Sequence, residues 1–289
     1  MRTVLIGFVV VAALAGCGED EGGEPSVVVT TSILGDVVGN LVGEDVEVEV
    51  LMPAGVDPHA FAPSARQAAA LRGADVLVQN GAGFEAGLAD TLDAAAGDGA
   101  VLVTATDGVD LLGDDPHFFT DPVRMRAAAE HIAGELAEHV DGLDADELRA
   151  RTDRYLRALD DLDREVAATL DAVPADRRTL VTNHEVFAYF AERYGFEVLG
   201  AVVPGGSTLA EPSAADLTDL AAAIDAADVP AVFAETSSPA RVAEALAAEG
   251  TDVEVVELYS EALGEAGSDG ATYLDMVRAN ARRIAEALR

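Results

Sequence analysis

Apolar positions along this chain follow two rhythms that take turns. Short runs rich in valine and leucine predict strands near Val27–Thr31, Val46–Met52, Val76–Gln79 and Val101–Thr104. A second set falls at Thr179–Asn183, Val198–Val203, Ala231–Ala234 and Val253–Leu258. Between them lie alanine-rich stretches with helical spacing, among them one after Pro63, Phe84–Ala95, one after Pro122, Glu185–Arg193 and about Thr272–Leu288. Strand and helix alternating in this way make βαβ units, so each half predicts an α/β lobe with a mainly parallel sheet flanked by helices.

The stretch Asp144–Val173 breaks the alternation. It has no Gly and no Pro, and Leu148, Tyr155, Leu159, Leu162, Val166 and Leu170 recur at helical spacing. One helix of about 45 Å follows from a rise of 1.5 Å per residue, enough to run along two lobes. The expected organisation is an N-terminal lobe over 26–143, a linking helix over 144–173 and a C-terminal lobe over 174–289. A stiff helical connector favours small rocking motions over wide hinge closure.

The N-terminus adds a location. Met1-Arg2 precedes an apolar run from Val4 to Leu14, too short to span a bilayer, and residues 1–16 read as a signal peptide. Its end, Leu14-Ala15-Gly16-Cys17, resembles the lipobox of bacterial lipoproteins, which implies lipidation of Cys17 and stable tethering to the extracytoplasmic face of the cell membrane. Residues 17–25 are polar and glycine-rich, a flexible tether. Cys17 is the only cysteine, so no intrachain disulfide forms.

Charge narrows the partners. The formal net charge is −35, and all 18 basic residues are arginine. Such a surface repels phosphate, which argues against nucleic acid, and it gathers cations without selecting among them. No Gly-rich phosphate loop is present, which argues against nucleotide hydrolysis by this chain.

The candidate chemistry lies in three of the five histidines: Asp57-Pro58-His59, Asp115-Pro116-His117 and Asn183-His184. Neutral imidazole is a common transition-metal ligand, and a rigid Asp-Pro turn fixes where the ring points. Each histidine trails a predicted strand, where open α/β sheets place ligands, so two lobes contribute to one cleft. His131 and His139 fall within the helix after Pro122 and read as ordinary helix-face residues. Asp121 reads as the N-cap of that helix, ahead of Pro122 at its first position.

Five segments carry a family resemblance: Met52-Pro53-Ala54-Gly55-Val56-Asp57-Pro58-His59, Asn80-Gly81-Ala82-Gly83-Phe84-Glu85, Asp115-Pro116-His117-Phe118-Phe119-Thr120-Asp121-Pro122, Asn183-His184 and Leu258-Tyr259-Ser260-Glu261-Ala262-Leu263-Gly264. With them the chain resembles the cluster A-I metal-binding lipoproteins of bacterial ABC importers for zinc and manganese, the ZnuA/TroA-like group. The resemblance implies two α/β lobes joined by a long rigid helix, with metal between them. It implies His59, His117 and His184 as ligands. The fourth position usually holds aspartate in that family; here Glu261 stands there, and either its longer carboxylate or a water completes the set. Glu235 resembles a family glutamate near the site and would orient a ligand imidazole.

Three imidazoles and one carboxylate suit Zn2+, whereas Mn2+ prefers more carboxylate oxygens, and manganese members often have glutamate where His184 stands. Against zinc, the His-rich loop common in zinc carriers is missing from Thr106–Asp115. The expectation is a monomeric, non-enzymatic solute-binding lipoprotein that delivers Zn2+, or alternatively Mn2+, to an ABC permease with a cytoplasmic ATPase. The rivals are a zinc hydrolase on the same histidines, which lacks a His-Glu-x-x-His helix, and a cell-adhesion protein whose metal is structural.

Overall fold

A computed structural model describes residues 26–203, 205–209, 213–236, 239–250 and 253–289. The expected signal peptide (1–16), the expected tether (17–25) and Cys17 lie outside the described residues. In chain order the elements are β1 (Ser26–Thr31), α1 (Ser32–Val42), β2 (Glu47–Met52), α2 (Ala65–Gly73), β3 (Val76–Gln79), α3 (Ala89–Gly97), β4 (Val101–Thr104) and α4 (Pro122–His139). There follow α5 (Ala145–Leu170), β5 (Thr179–Thr182), α6 (Ala188–Tyr194), β6 (Glu197–Ala201), α7 (Ala214–Ala226), β7 (Ala231–Glu235), α8 (Pro239–Ala248), β8 (Glu254–Leu258) and α9 (Tyr273–Ala287).

The strands form two parallel sheets, ordered β2-β1-β3-β4 and β6-β5-β7-β8. Counted from its own first strand, each lobe has the same order. The chain winds outward in both directions from the first strand, which opens a crevice at the carboxyl ends of the strands. Valine-rich β1, with Val27, Val28 and Val29 all buried, is covered on both faces, as parallel strands are.

Helix boundaries are set by side-chain caps. The Asp144 carboxylate accepts from Asp146 N and Glu147 N at 2.9 and 3.1 Å to start α5, and Asp121 Oδ1 accepts from Val123 N at 2.8 Å to start α4 with Pro122 in its first turn. The helix expected over Asp144–Val173 runs over Ala145–Leu170; 26 residues give about 39 Å. Pro174, four residues past its last turn, cannot continue it.

One apolar core runs through both lobes. It joins Val29 and Val37 to Ile132 of α4, Leu159 and Leu162 of α5, Phe190 of α6 and Ile284 of α9. Smaller clusters fill the outer face of each sheet, around Leu77 and Leu92 in one and Val232 and Leu246 in the other. Polar bonds stitch the same interface: Tyr273 donates its hydroxyl to the Phe119 carbonyl at 2.8 Å and its N–H to Asp36 at 3.0 Å, and Leu263 N donates to Ser32 Oγ at 3.0 Å. A large apolar interface opposes free lobe motion, so stiffness resides in this shared core as well as in α5.

Two helix starts differ from expectation. Phe84 lies in a turn, because Gly81, Ala82 and Gly83 all have positive φ (92°, 49° and 77°); a short 3-10 turn at Ala86–Leu88 follows and α3 begins only at Ala89. The helix expected from Glu185 begins at Ala188. Glu185 N bonds to Gly205 O and Val186 N to His184 O, so 185–187 form a non-helical corner. The strands expected to reach Asn183 and Val203 end at Thr182 and Ala201, where the chain turns toward the site.

Candidate metal centre

Each lobe's crevice delivers two acceptors. His59 follows β2 and His117 follows β4, and both sit on the same device: the preceding aspartate folds back onto the histidine's own backbone. Asp57 Oδ1 accepts from His59 N at 2.9 Å, and Asp115 Oδ1 from His117 N at 3.0 Å. The intervening proline fixes φ, and this side-chain turn leaves the imidazole little freedom. His184 follows β5 at the non-helical corner. Glu261 follows β8, in a segment clamped by Asn280 of α9, which binds both the N–H and the carbonyl of Tyr259.

The four side chains converge. His59 Nε2, His117 Nε2 and His184 Nε2 lie 2.7, 3.2 and 3.2 Å from Glu261 Oε1. One donor atom from each of the four falls within 4.8 Å of the others. Exposure is 4, 0, 0 and 5% for His59, His117, His184 and Glu261. A tetrahedral zinc with ligands at about 2.0–2.1 Å needs donors about 3.3 Å apart, so small adjustments would seat an ion.

A second layer aims the rings. His117 Nδ1 pairs with Asp115 Oδ1 at 2.7 Å, and His184 Nδ1 pairs with Glu235 Oε1, which also accepts from Asn183 Nδ2 at 3.0 Å. Glu235 is the last residue of β7, the neighbour of β5, so the sheet itself sets that pairing. In both cases a carboxylate takes the far nitrogen and turns Nε2 toward the centre.

The electrostatics are those of a site holding protons where a cation would sit. Burial opposes charge on His184, but hydrogen bonds and attraction from Glu235 and Glu261 outweigh it and push the imidazole up to about 10. His117 is raised in the same way through Asp115 and Glu261. Burial also opposes charge on Glu261, yet its hydrogen bonds with His117, His184 and His59 hold the carboxyl well below the usual range.

Three residues quoted in the sequence motifs prove to be supports. Phe84 sets its ring edge-on to His59 and His117, at centroid distances of 5.2 and 5.7 Å. Buried Glu85 accepts from Thr30 Oγ1 at 2.7 Å, Asn80 N at 2.6 Å and Gly81 N at 3.2 Å, and burial raises its pKa. Asn80 then donates Nδ2 to the Pro116 carbonyl, directly before His117. No spacing rule marks these roles. His131 and His139 stay on α4, outside the cluster, His139 facing Glu135 at 3.6 Å. Asp121 caps α4 and accepts Arg124 Nη1 at 2.7 Å.

Paired like-ordered sheets whose crevices close over a shared donor cluster define the two-lobed substrate receptors of metal importers. The family described as "Zinc-uptake complex component A periplasmic" (ZnuA) matches residues 27–287, and the chain belongs to it. It is 34% identical to "Zinc-binding protein TroA" of Treponema pallidum over 92% of this chain and 89% of that protein. The solved structure of the periplasmic TroA superposes with a TM-score of 0.85 over 92% of this chain and 99% of that one. "Manganese-binding lipoprotein MntA" of Bacillus subtilis is 32% identical over the full length of both chains. "Manganese ABC transporter substrate-binding lipoprotein PsaA" of Streptococcus pneumoniae is 26% identical over 91% of this chain and 88% of that protein. The family is one of transporter substrate-binding proteins, not enzymes, which removes the hydrolase reading.

Proposed function

We propose that this chain, anchored through Cys17 on the extracytoplasmic face of the cell membrane, captures one Zn2+ ion on His59, His117, His184 and Glu261. It then delivers the ion to an ABC permease driven by a cytoplasmic ATPase. The observation that carries this reading is the meeting of three imidazole Nε2 atoms around one carboxylate oxygen, buried between two lobes. The relatives' names include zinc and manganese binders alike, so they support a metal cargo and leave the choice of ion to the donor set. Three neutral nitrogens and one carboxylate favour tetrahedral zinc; Mn2+ would be served by more oxygen donors. Acting as a monomer, the chain needs only small lobe movements to load, consistent with its shared apolar core.

The test is metal content and zinc-against-manganese competition on the chain from Ser26 onward, for the parent, His184→Ala and Glu261→Ala. The expected result is one zinc per chain, with affinity lowered at least 100-fold by His184→Ala and about ten-fold or more by Glu261→Ala, since each removes a ligand. A manganese preference would make this a manganese carrier of the same family. No tight metal would overturn the reading.

A further inference from the structure

Among the described residues, one broad cleft reaches the cluster. It has a volume of about 450 Å3 and is lined among others by His59, Gly83, Ala86, Asp114, Glu185 and Gly206. Of the four converging side chains, only His59 lines this cleft. His117 and His184 are fully covered, and Phe84 and Phe119 stack edge-on against the His117 ring. A second gap, beside Glu261 and Glu235, offers about 10 Å3. That is room for one water at most, too little for an ion carrying several waters of its shell.

The wall of the broad cleft is tied to His59 through one carboxylate. Asp57 Oδ1 holds the His59 N–H at 2.9 Å, while Asp57 Oδ2 accepts Thr208 Oγ1 at 2.6 Å from the opposite lobe. Thr208 sits on the segment 205–209, which also supplies Gly206 and Ser207 to the rim. The turn that aims His59 and the facing wall therefore cannot separate without breaking this hydrogen bond.

Resting on the metal-carrier reading, we infer that the ion enters and leaves through this cleft past His59, and that Thr208 is a positioning residue which latches the His59 turn and sets the exchange rate. His59 alone of the four lines this cleft, so it is the first to let go. Asp114, Asp115 and Glu185 at the rim raise the local concentration of cations on the approach.

The experiment is stopped-flow kinetics with zinc alone on the full-length protein: association on mixing, and dissociation into excess chelator. Thr208→Val is expected to speed dissociation about ten-fold, the order set by losing one hydrogen bond to a charged group, and Thr208→Ser to restore the parent rate. Exposed Ala86→Trp should narrow the cleft and slow association and dissociation by the same several-fold factor, leaving their ratio unchanged, because an obstructed path raises one barrier in both directions. Parent rates in Ala86→Trp overturn the route, and parent rates in Thr208→Val overturn the latch, with bound zinc at one per chain keeping the carrier reading intact. A parent chain that takes up no zinc overturns the carrier reading and this inference with it.

Discussion

Asn80 donates its side-chain N–H to the carbonyl of Pro116 at 3.0 Å across 36 residues of sequence, and so holds the peptide that leads into His117. Asn80 is itself fixed by Glu85, through its backbone N–H. Removing the donor strands a buried carbonyl, which costs about 1–3 kcal/mol. Asn80→Ala should lower stability by that amount in urea titrations and weaken zinc binding about ten-fold, because the support of one proposed ligand is lost while all four side chains of the cluster remain. Unchanged affinity alongside lowered stability would confine Asn80 to folding.

Glu235 takes the far nitrogen of His184, and the same oxygen accepts from Asn183. Glu235→Gln keeps the shape and removes the charge. Loss of such a carboxylate partner costs about 10–100-fold in metal affinity, and that drop is expected in a chelator competition with stoichiometry still one per chain. A drop in stoichiometry instead would mean that Glu235 itself holds metal.

The protons on the site make the metal-free protein sensitive to pH. The His184 imidazole is pushed from 6.5 up to about 10, so its contribution to folding is complete below about 6.5 and is lost as pH rises through about 10. Glu261, held well below 4.5, contributes above that value and loses its contribution as pH falls through its folded pKa. The metal-free melting temperature should therefore decline from pH 6.5 to pH 10. The zinc-loaded protein should decline less over the same range, since the ion replaces the protons as the partner of Glu261. Thermal scans with and without zinc measure the difference; parallel curves would refute it.

What the sequence disclosed and what it withheld follow from the range of the forces involved. His59 and His117 were legible because an Asp-Pro turn is a local device, closed within two residues. The strands were legible because burial on both faces forces near-continuous valine and leucine. The late start of α3 was not, since the positive φ falls on Ala82, a residue that gives no sign of it, between two glycines that do. Glu85 and Thr208 act through partners 55 and 151 residues away, and no periodicity records such pairings. The packing of α9 across α5 and α1 was hidden too, because an apolar stripe announces that a helix is covered without saying by what.

That covering by α9 yields a test of whether the lobes are separable. Leu162 of α5 is fully buried in the core that both lobes share. Leu162→Ala should cost about 2–5 kcal/mol, the transfer of the lost methyl groups plus the cavity they leave. If rigidity came from the helix alone, each lobe would keep its own core and the variant would unfold in two steps. Because α1 and α4 of one lobe and α9 of the other all pack against α5, the loss should be felt by both lobes together. Calorimetry is expected to give one transition, shifted downward, with the van't Hoff and calorimetric enthalpies agreeing. Two resolved transitions would show that the lobes fold independently, and the small-motion argument for metal loading would fall with the shared core.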